Sequence, residues 1–379
     1  MFEAVAVLIK IAVKVHAADP AKVSAAVDEL EGALMPLFNT ILQKDVTEFV
    51  PYVFQLLASL QAHKPAPQPG QHTLSAGMQS LATSLVQASL WERKSNIPAL
   101  CMLMTAVLAK GAAFMVAQKK IMPVLGVFQK LMSAASTEDY AHHLLRCVIL
   151  YVPLEVSQAS LPTALSVILT RMQNKGSVKT AKAFVVTMCL IANKAGGATA
   201  VQLVEAIQPG LFTDLLTSVV LPHANAIIAK HDRRTVIAGL AALAGDVEAL
   251  LQPANLPQWQ AVASVIVQLL EAQADTAASA QHAAAARVEA ALESADAAPA
   301  GFDTKFSRLA HVSVPGSMQR GGVEYIPAAT DLRACWIEKL KGVVQKVGVA
   351  QWPALTSQME APIAGVLKQY LASAGVTVS

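Results

Sequence analysis

The chain has 379 residues, of which 54% are hydrophobic and 15% are charged, and its formal net charge is +3. So small a net charge gives no electrostatic argument for nucleic acid as a partner. The apolar content requires either a large buried core or a membrane. The longest apolar tract, residues 95–109, is shorter than the about 20 residues that a membrane-spanning helix needs, so we predict no membrane span.

Amphipathic helices are predicted almost from end to end of the chain, and strand-like alternation of apolar and polar residues is almost absent. In residues 45–60, for example, Phe49, Val53 and Leu60 fall on one helical stripe. The chain is therefore predicted to be all-α. The predicted helices cover residues 2–16, 20–42, 45–62, 73–90, 97–109, 112–133, 138–151, 156–173, 177–194, 198–207, 211–229, 232–250, 256–272, 302–311, 329–346 and 355–374.

A recurring phrase, in which an apolar residue and a proline precede apolar residues at helical spacing, occurs five times. Proline fits the first turn of a helix and disrupts the interior, so we interpret each phrase as a helix start. Pro123 and Pro162 are about 40 residues apart, which is the period of HEAT and armadillo arrays. We predict a HEAT-repeat α-solenoid, a superhelix of antiparallel helix pairs. The phrases are LMPLFNTIL (34–42), FVPYVFQLL (49–57), IMPVLGVFQKL (121–131), SLPTALSVIL (160–169) and VLPHANAII (220–228).

Two stretches interrupt the helices, but helix pairs resume on both sides of each, so neither indicates a boundary between independent domains. Residues 64–72 are predicted to form an exposed loop rich in proline and glutamine. Residues 272–301 are an alanine-rich acidic insert, which we expect to be disordered or partly helical. The first helix is strongly apolar with no polar repeat ahead of it, so we expect further protein or a partner to cover its edge.

No catalytic signature is present, because the sequence lacks a phosphate-binding loop, a nucleophile elbow and a zinc-binding helix signature. His142 and His143 are adjacent and point about 100° apart on a helix, so they cannot ligate one metal ion together. We expect no enzyme activity and no cofactor; an enzyme that uses Cys147 or His142 is the alternative from another class of protein.

The four cysteines are widely separated and lie on apolar stretches. This pattern predicts buried thiols in a reducing compartment, the cytosol or the nucleus. They are Cys101, Cys147, Cys189 and Cys335.

The polar turn WERKSNIP (91–98) is a candidate partner contact, because tryptophan and arginine are frequent interface anchors. In that interpretation Trp91, Arg93 and Lys94 touch the partner. An ordinary charged turn with Trp91 folded onto the core accounts for the same residues equally well.

A basic series is formed by Arg171, Lys175, Lys179 and Lys182. Gly176 and the serine after it are expected to end one helix and begin the next, so two of these residues belong to each helix. A solvated face is the usual explanation of such a series, and a docking surface for an acidic partner is the alternative.

Several segments, in this order and spacing, resemble the C-terminal half of the exportin-2 family, also called the cellular apoptosis susceptibility proteins, which are importin-β-like HEAT-repeat receptors. The resemblance covers essentially the whole chain. Its most specific parts are DVTEFVPYVFQ and WERKSNIPAL. The matching segments are LMPLFNTILQKDVTEFVPYVFQLLASL, LWERKSNIPAL, LGVFQKL, RMQNKGSVKTAKAF, IQPGLFTDLL, FDTKFSRLAH and YLASAGVTV.

The resemblance implies a receptor that binds importin-α together with Ran-GTP in the nucleus and carries importin-α back to the cytoplasm. It implies a monomeric receptor that shuttles through nuclear pores, of which this chain is the C-terminal arch; a HEAT-repeat scaffold for other clients is the alternative. Arg93, Lys94, Lys179 and Lys182 lie in matching segments and are the expected contacts. The aromatic residues of the same segments are expected in the core: Phe49, Tyr52, Phe54 and Phe128.

Overall fold

The computed structural model describes residues 1–274, 308–318 and 323–378. Helices are the regular structure throughout these residues, with no strand among them, which confirms the all-α prediction. We number the helices α1 (Phe2–Val15), α2 (Pro20–Gln43), α3 (Val50–His63), α4 (Ala76–Ser84), α5 (Ile97–Ala117), α6 (Ile121–Met132), α7 (Glu138–Tyr151), α8 (Leu154–Ser157), α9 (Leu161–Lys175), α10 (Val178–Ala195), α11 (Gly197–Glu205), α12 (Leu211–Leu215), α13 (Leu221–Ala224), α14 (Lys230–Asp246), α15 (Leu256–Ala274), α16 (Leu332–Val347), α17 (Trp352–Thr356) and α18 (Ala361–Ser373).

Two compact units make up the chain. Unit 1 comprises Met1–Ser160 together with Pro299–Met318, and unit 2 comprises Leu161–Ala298 together with Gln319–Ser379. The predicted insert at 272–301 lies outside the described residues except for its first three, which belong to α15. Of the helix predicted at 302–311, residues 308–311 are described and are not helical, so that part of the prediction is wrong.

Unit 1 is a stack of helix pairs. Helices α1, α3, α5 and α7 pack side by side in chain order as one layer, and α2, α4 and α6 each pack on the helix that follows them. This arrangement buries the apolar stripes that the sequence shows, including the predicted core residues Phe54 and Phe128. Along the other side of α1 run four exposed apolar side chains: Met1, Leu8, Ile11 and Val15.

Proline marks helix starts at some of the predicted positions and not at others. Pro51 and Pro162 lie in the first turn of α3 and α9, as predicted. Pro36 instead lies inside α2, where its exposed position leaves the Gly32 carbonyl open to solvent in place of a helical bond. Pro222 lies in the first turn of α13, but α13 continues without a break from the π-helical turn Leu216–Val220.

The most apolar helix, α5, is longer than predicted. The sequence predicts separate helices at 97–109 and 112–133. In the structure, α5 runs from Ile97 to Ala117 and continues across a kink at Gly111, where φ is −139°. By length and composition alone, this helix of 21 residues could cross a membrane. However, 67% of its most apolar segment is buried inside the protein. Burial of this kind is expected of a helix in the middle of a helical layer.

Unit 2 is built around α14, which packs against α10, α11, α15 and α16. The contact between α10 and α14 is close because residue 239 is a glycine. A Cβ atom on Gly239 would lie 2.3 Å from the Cα of Cys189, so no larger residue fits without moving the helices.

Candidate partner-binding surfaces

The turn at 91–96 is fixed to the turn between α2 and α3 by a bidentate ion pair. The two terminal nitrogens of Arg93 lie 2.6 and 2.5 Å from the carboxylate oxygens of Asp45. This hydrogen bonding lowers the pKa of Asp45 and raises the pKa of Arg93. We call this surface, residues 44–49 and 92–96, the turn ridge of unit 1.

Trp91 is not part of this surface. Its side chain is 2% exposed, and its indole Nε1–H donates to the carbonyl of Leu85 at 2.7 Å. The prediction of a tryptophan anchor for a partner is therefore corrected, because the apolar ring is folded into the core, which was the other interpretation of the turn.

Lys94 is exposed next to Arg93, on a turn whose other charged groups are tied down. Glu92 accepts from the Lys130 ammonium at 3.3 Å, and Lys130 also donates to the carbonyl of Ala88 at 2.8 Å. The turn ridge thus displays Lys94 from a backbone that its neighbours hold in place.

Phe49 belongs to the turn ridge and not to the core, contrary to the prediction. It is 41% exposed, and its ring lies 5.3 Å from that of Phe2. It stands just before the first turn of α3 and so falls outside the buried stripe of that helix, while Tyr52 is half-buried. The sequence does carry a signal that Phe49 lies outside the helix. It directly precedes Val50-Pro51, and proline favours the first turn of a helix.

The basic turn of unit 2 lies between α9 and α10 and contains the other four predicted contact residues. As predicted, α9 ends at Lys175 and α10 begins at Val178, where Ser177 accepts from the backbone N–H of Thr180 at 3.1 Å. Lys175 and Lys179 are exposed, whereas Arg171 and Lys182 are half-buried. Val178, between the exposed lysines, is 61% exposed and adds an apolar group to the turn.

Two further arginines, Arg233 and Arg234, have structural roles. Arg233 is buried, and its Nε donates to the carbonyl of Ile227 at 3.2 Å. Arg234 reaches the carbonyls of Pro327 and Thr330 at 2.9 and 2.8 Å, so it fixes the segment that precedes α16. Neither is available as a solvated contact for a partner.

A buried polar cluster contains Cys147, one of the two residues of the enzymatic alternative. The hydroxyl of Thr105 lies 2.8 Å from Nε2 of His143 and 3.5 Å from Sγ of Cys147. Burial raises the pKa of Cys147 to about 12 and lowers that of His143 to about 3, so both groups are neutral. His142 is buried as well, and burial lowers its pKa.

A nucleophile needs access and a thiolate, and this cluster has neither, which removes the basis of the enzymatic alternative. In the described part of the chain there is also no group of three or more histidine, cysteine or acidic residues that could hold a metal ion. Three of the four cysteines are buried as predicted, but Cys335 is exposed on α16, because it lies outside the buried stripe formed by Leu332, Trp336 and Leu340.

Residues 1–370 match a protein-family model described as CAS/CSE protein, C-terminus. The chain belongs to the CAS/CSE family. Among relatives of this CAS/CSE chain, Exportin-2 of Drosophila melanogaster is 27% identical over 379 residues, which is 100% of this chain and 36% of the relative. Exportin-2 of Homo sapiens is 30% identical over 278 residues, or 73% of this chain and 27% of the relative.

The Importin-alpha re-exporter of Schizosaccharomyces pombe is 29% identical over 321 residues, or 81% of this chain and 31% of the relative. The CAS/CSE chain thus spans about a third of the length of these relatives. Among solved structures, the exportin Cse1 in its cargo-free, cytoplasmic state matches with a TM-score of 0.71 at 20% identity, over 97% of this chain and 37% of that one. This likeness confirms the predicted fold class, a HEAT-repeat α-solenoid.

Proposed function

We propose that this CAS/CSE chain acts in nuclear transport, as part of a receptor that returns importin-α from the nucleus to the cytoplasm in complex with Ran-GTP. The observation that carries the proposal is the family match over residues 1–370. The name of the fission yeast relative, Importin-alpha re-exporter, supports importin-α as the cargo. The chain spans about a third of the length of its relatives. We therefore propose, for this shorter chain, the activity of the longer proteins.

Two surfaces are proposed as partner contacts. They are the turn ridge of unit 1, through Arg93 and Lys94, and the basic turn of unit 2, through Arg171, Lys175, Lys179 and Lys182. The exposed ammonium groups of Lys94, Lys175 and Lys179 suit an acidic partner surface, because complementary charge steers association and selects the partner. The exposed Phe49 and Val178 give each surface an apolar group that a partner can bury.

The proposed mechanism is linked binding without chemistry. Each of the two partners stabilises the conformation that holds the other, so each raises the affinity for the other by the same factor. Hydrolysis of GTP by Ran removes that coupling and releases importin-α. We accordingly propose a monomeric receptor without enzyme activity that shuttles between nucleus and cytoplasm.

A capture experiment tests the proposal. The purified chain is immobilised and exposed to importin-α with Ran loaded either with a non-hydrolysable GTP analogue or with GDP. We expect capture of importin-α with the GTP form and little capture with GDP. Binding of other clients regardless of the nucleotide on Ran would favour the alternative, a HEAT-repeat scaffold.

A further inference from the structure

Residues 308–318, which we call the strap, belong to unit 1 although they follow α15 of unit 2 in the sequence. The strap has no helix, and its buried residues are interspersed with exposed ones. Its inward side chains are almost fully buried, so the strap lies in a groove of unit 1 and not in solvent. They are Leu309, Val312, Val314 and Ser317.

Unit 1 holds the beginning of the strap through backbone groups. The N–H of Leu309 donates to Oε1 of Gln55, in the middle of α3, at 2.9 Å. The next N–H, that of Ala310, donates to Oε1 of Glu3 on α1 at 2.5 Å. Gln55 is fully buried, so its carbonyl oxygen would lose this hydrogen bond in a dry environment if the strap left.

The end of the strap reaches the other two helices of the same layer. Val314 to Ser317 form a tight turn in which Gly316 has a φ of +76°. A Cβ atom on Gly316 would lie 2.8 Å from the Tyr151 hydroxyl on α7 and 3.6 Å from Cγ2 of Thr105 on α5. Only glycine allows both this backbone conformation and this close approach.

The strap therefore touches α1, α3, α5 and α7, whereas those helices pack mainly on their immediate neighbours. Arrays held by neighbour contacts alone deform easily, because small changes at each interface add up. We propose that the strap is an intramolecular brace that holds these four helices in fixed register and so stiffens unit 1. The proposal concerns the mechanics of unit 1 and holds whichever partner the chain binds.

Gln55→Leu tests the brace, since it removes the acceptor of the strap while keeping a side chain of similar size. Hydrogen exchange of the full-length chain is the measurement. We expect exchange of the strap amides to accelerate on the order of tenfold, because the buried N–H of Leu309 loses its hydrogen bond. Amides in α1 and α7 should accelerate to a similar extent, because the loosened strap no longer holds these helices in place. The matched control is Gln61→Leu on the same helix, because the amide group of Gln61 is buried without a hydrogen-bond partner. Amide exchange in the Gln61→Leu variant should be no faster than in the parent.

A second variant leaves every helix unchanged. In the full chain, Leu309→Ser, Val312→Ser and Val314→Ser are combined to release the strap, and a synthetic peptide with the parent sequence of residues 308–318 is then added. We expect faster exchange in α1 and α7 without the peptide, and restored protection when it is present in excess.

If amide exchange accelerates only in the strap and not in α1 and α7, the strap merely covers the surface. This result would contradict the proposed brace. Unchanged exchange everywhere would contradict it as well. A general loss of folding in the triple variant would not be reversed by the peptide, and this result would also overturn the proposal.

Discussion

At the scale of single residues, the most consequential charged group in unit 1 is a lysine that the sequence places in an exposed loop. The Lys64 side chain is 3% exposed, and its ammonium lies 2.9 Å from the carboxylate of Glu31, which is itself 5% exposed. Lys64 also pairs with Asp28, and Ser75 donates to Glu31. These contacts tie the end of α3 to α2 and to the start of α4.

Replacement of Lys64 by alanine should destabilise the protein strongly, because the buried carboxylate of Glu31 would lose its cationic partner and retain only the hydrogen bond from Ser75. We expect a loss of about 3–5 kcal/mol in the free energy of unfolding, measured by urea denaturation. Lys22→Ala is the matched control. Its exposed pair with Asp19 should contribute less than about 1 kcal/mol. Equal losses in the two variants would contradict this view of Lys64.

The stabilisation by Lys64 should depend on pH in a defined direction. Burial lowers the pKa of Lys64, but its hydrogen bonds to Asp28 and Glu31 raise it by more, so the pKa is raised above 10.5. Because the folded-state pKa exceeds the unfolded value, the contribution is complete below about pH 10.5 and declines as the pH rises through the folded pKa. The difference in unfolding free energy between parent and Lys64→Ala should be equal at about pH 7 and pH 9 and smaller at pH 11. A difference that already falls between pH 7 and pH 9 would refute the assignment.

Reversal of the exposed charges of the basic turn should weaken partner binding. We expect Lys175→Glu combined with Lys179→Glu to reduce the affinity for importin-α about tenfold, mainly through slower association, measured by surface plasmon resonance. Lys194→Glu combined with Lys230→Glu makes the same charge change at exposed positions of unit 2 outside that turn. If this control pair weakens binding equally, net charge and not the basic turn is responsible.

At the scale of helices, the close contact of α10 with α14 depends on Gly239. Gly239→Ala should lower the free energy of unfolding by about 1–3 kcal/mol, because the added methyl group meets the backbone of Cys189. Gly342→Ala is the control, since a Cβ on this glycine of α16 meets nothing within 4 Å and alanine favours the helix by up to about 1 kcal/mol. Thermal denaturation measures the stability of both variants against the parent. Equal changes in stability would mean that α10 and α14 can move apart at little cost, which would contradict the role of Gly239.

Helix positions follow from the sequence because apolar periodicity and local caps determine them. The ranges predicted for α1, α2 and α7 lie within one residue of those observed at either end. Proline was less reliable, since Pro36 shows that an exposed helix position tolerates the missing N–H. Phe49 and Lys64 were misplaced for a related reason: the burial of a residue next to a helix end depends on tertiary neighbours, which periodicity does not specify.

At the scale of the whole molecule, the family was predictable from short specific segments, whereas the strap was not. The segment FDTKFSRLAH supported the resemblance, yet it was predicted to be helical, and its contacts with Glu3 and Gln55 join residues about 250 to 300 positions apart. The periodicity of apolar residues reports only on local structure. Contacts between residues so far apart in the sequence can therefore be identified only in the folded chain. For the candidate surfaces, the sequence predicted the break between α9 and α10, but it could not tell that Trp91 is buried or that Asp45 pairs with Arg93.

The affinity of this chain for importin-α in the presence of Ran, measured by titration calorimetry, decides whether the chain couples importin-α to the nucleotide state of Ran. We expect Ran with a non-hydrolysable GTP analogue to tighten binding at least about tenfold relative to Ran-GDP, and importin-α to tighten the binding of Ran-GTP by the same factor. Equal affinities with the two forms of Ran, or no binding of importin-α at all, would contradict this coupling.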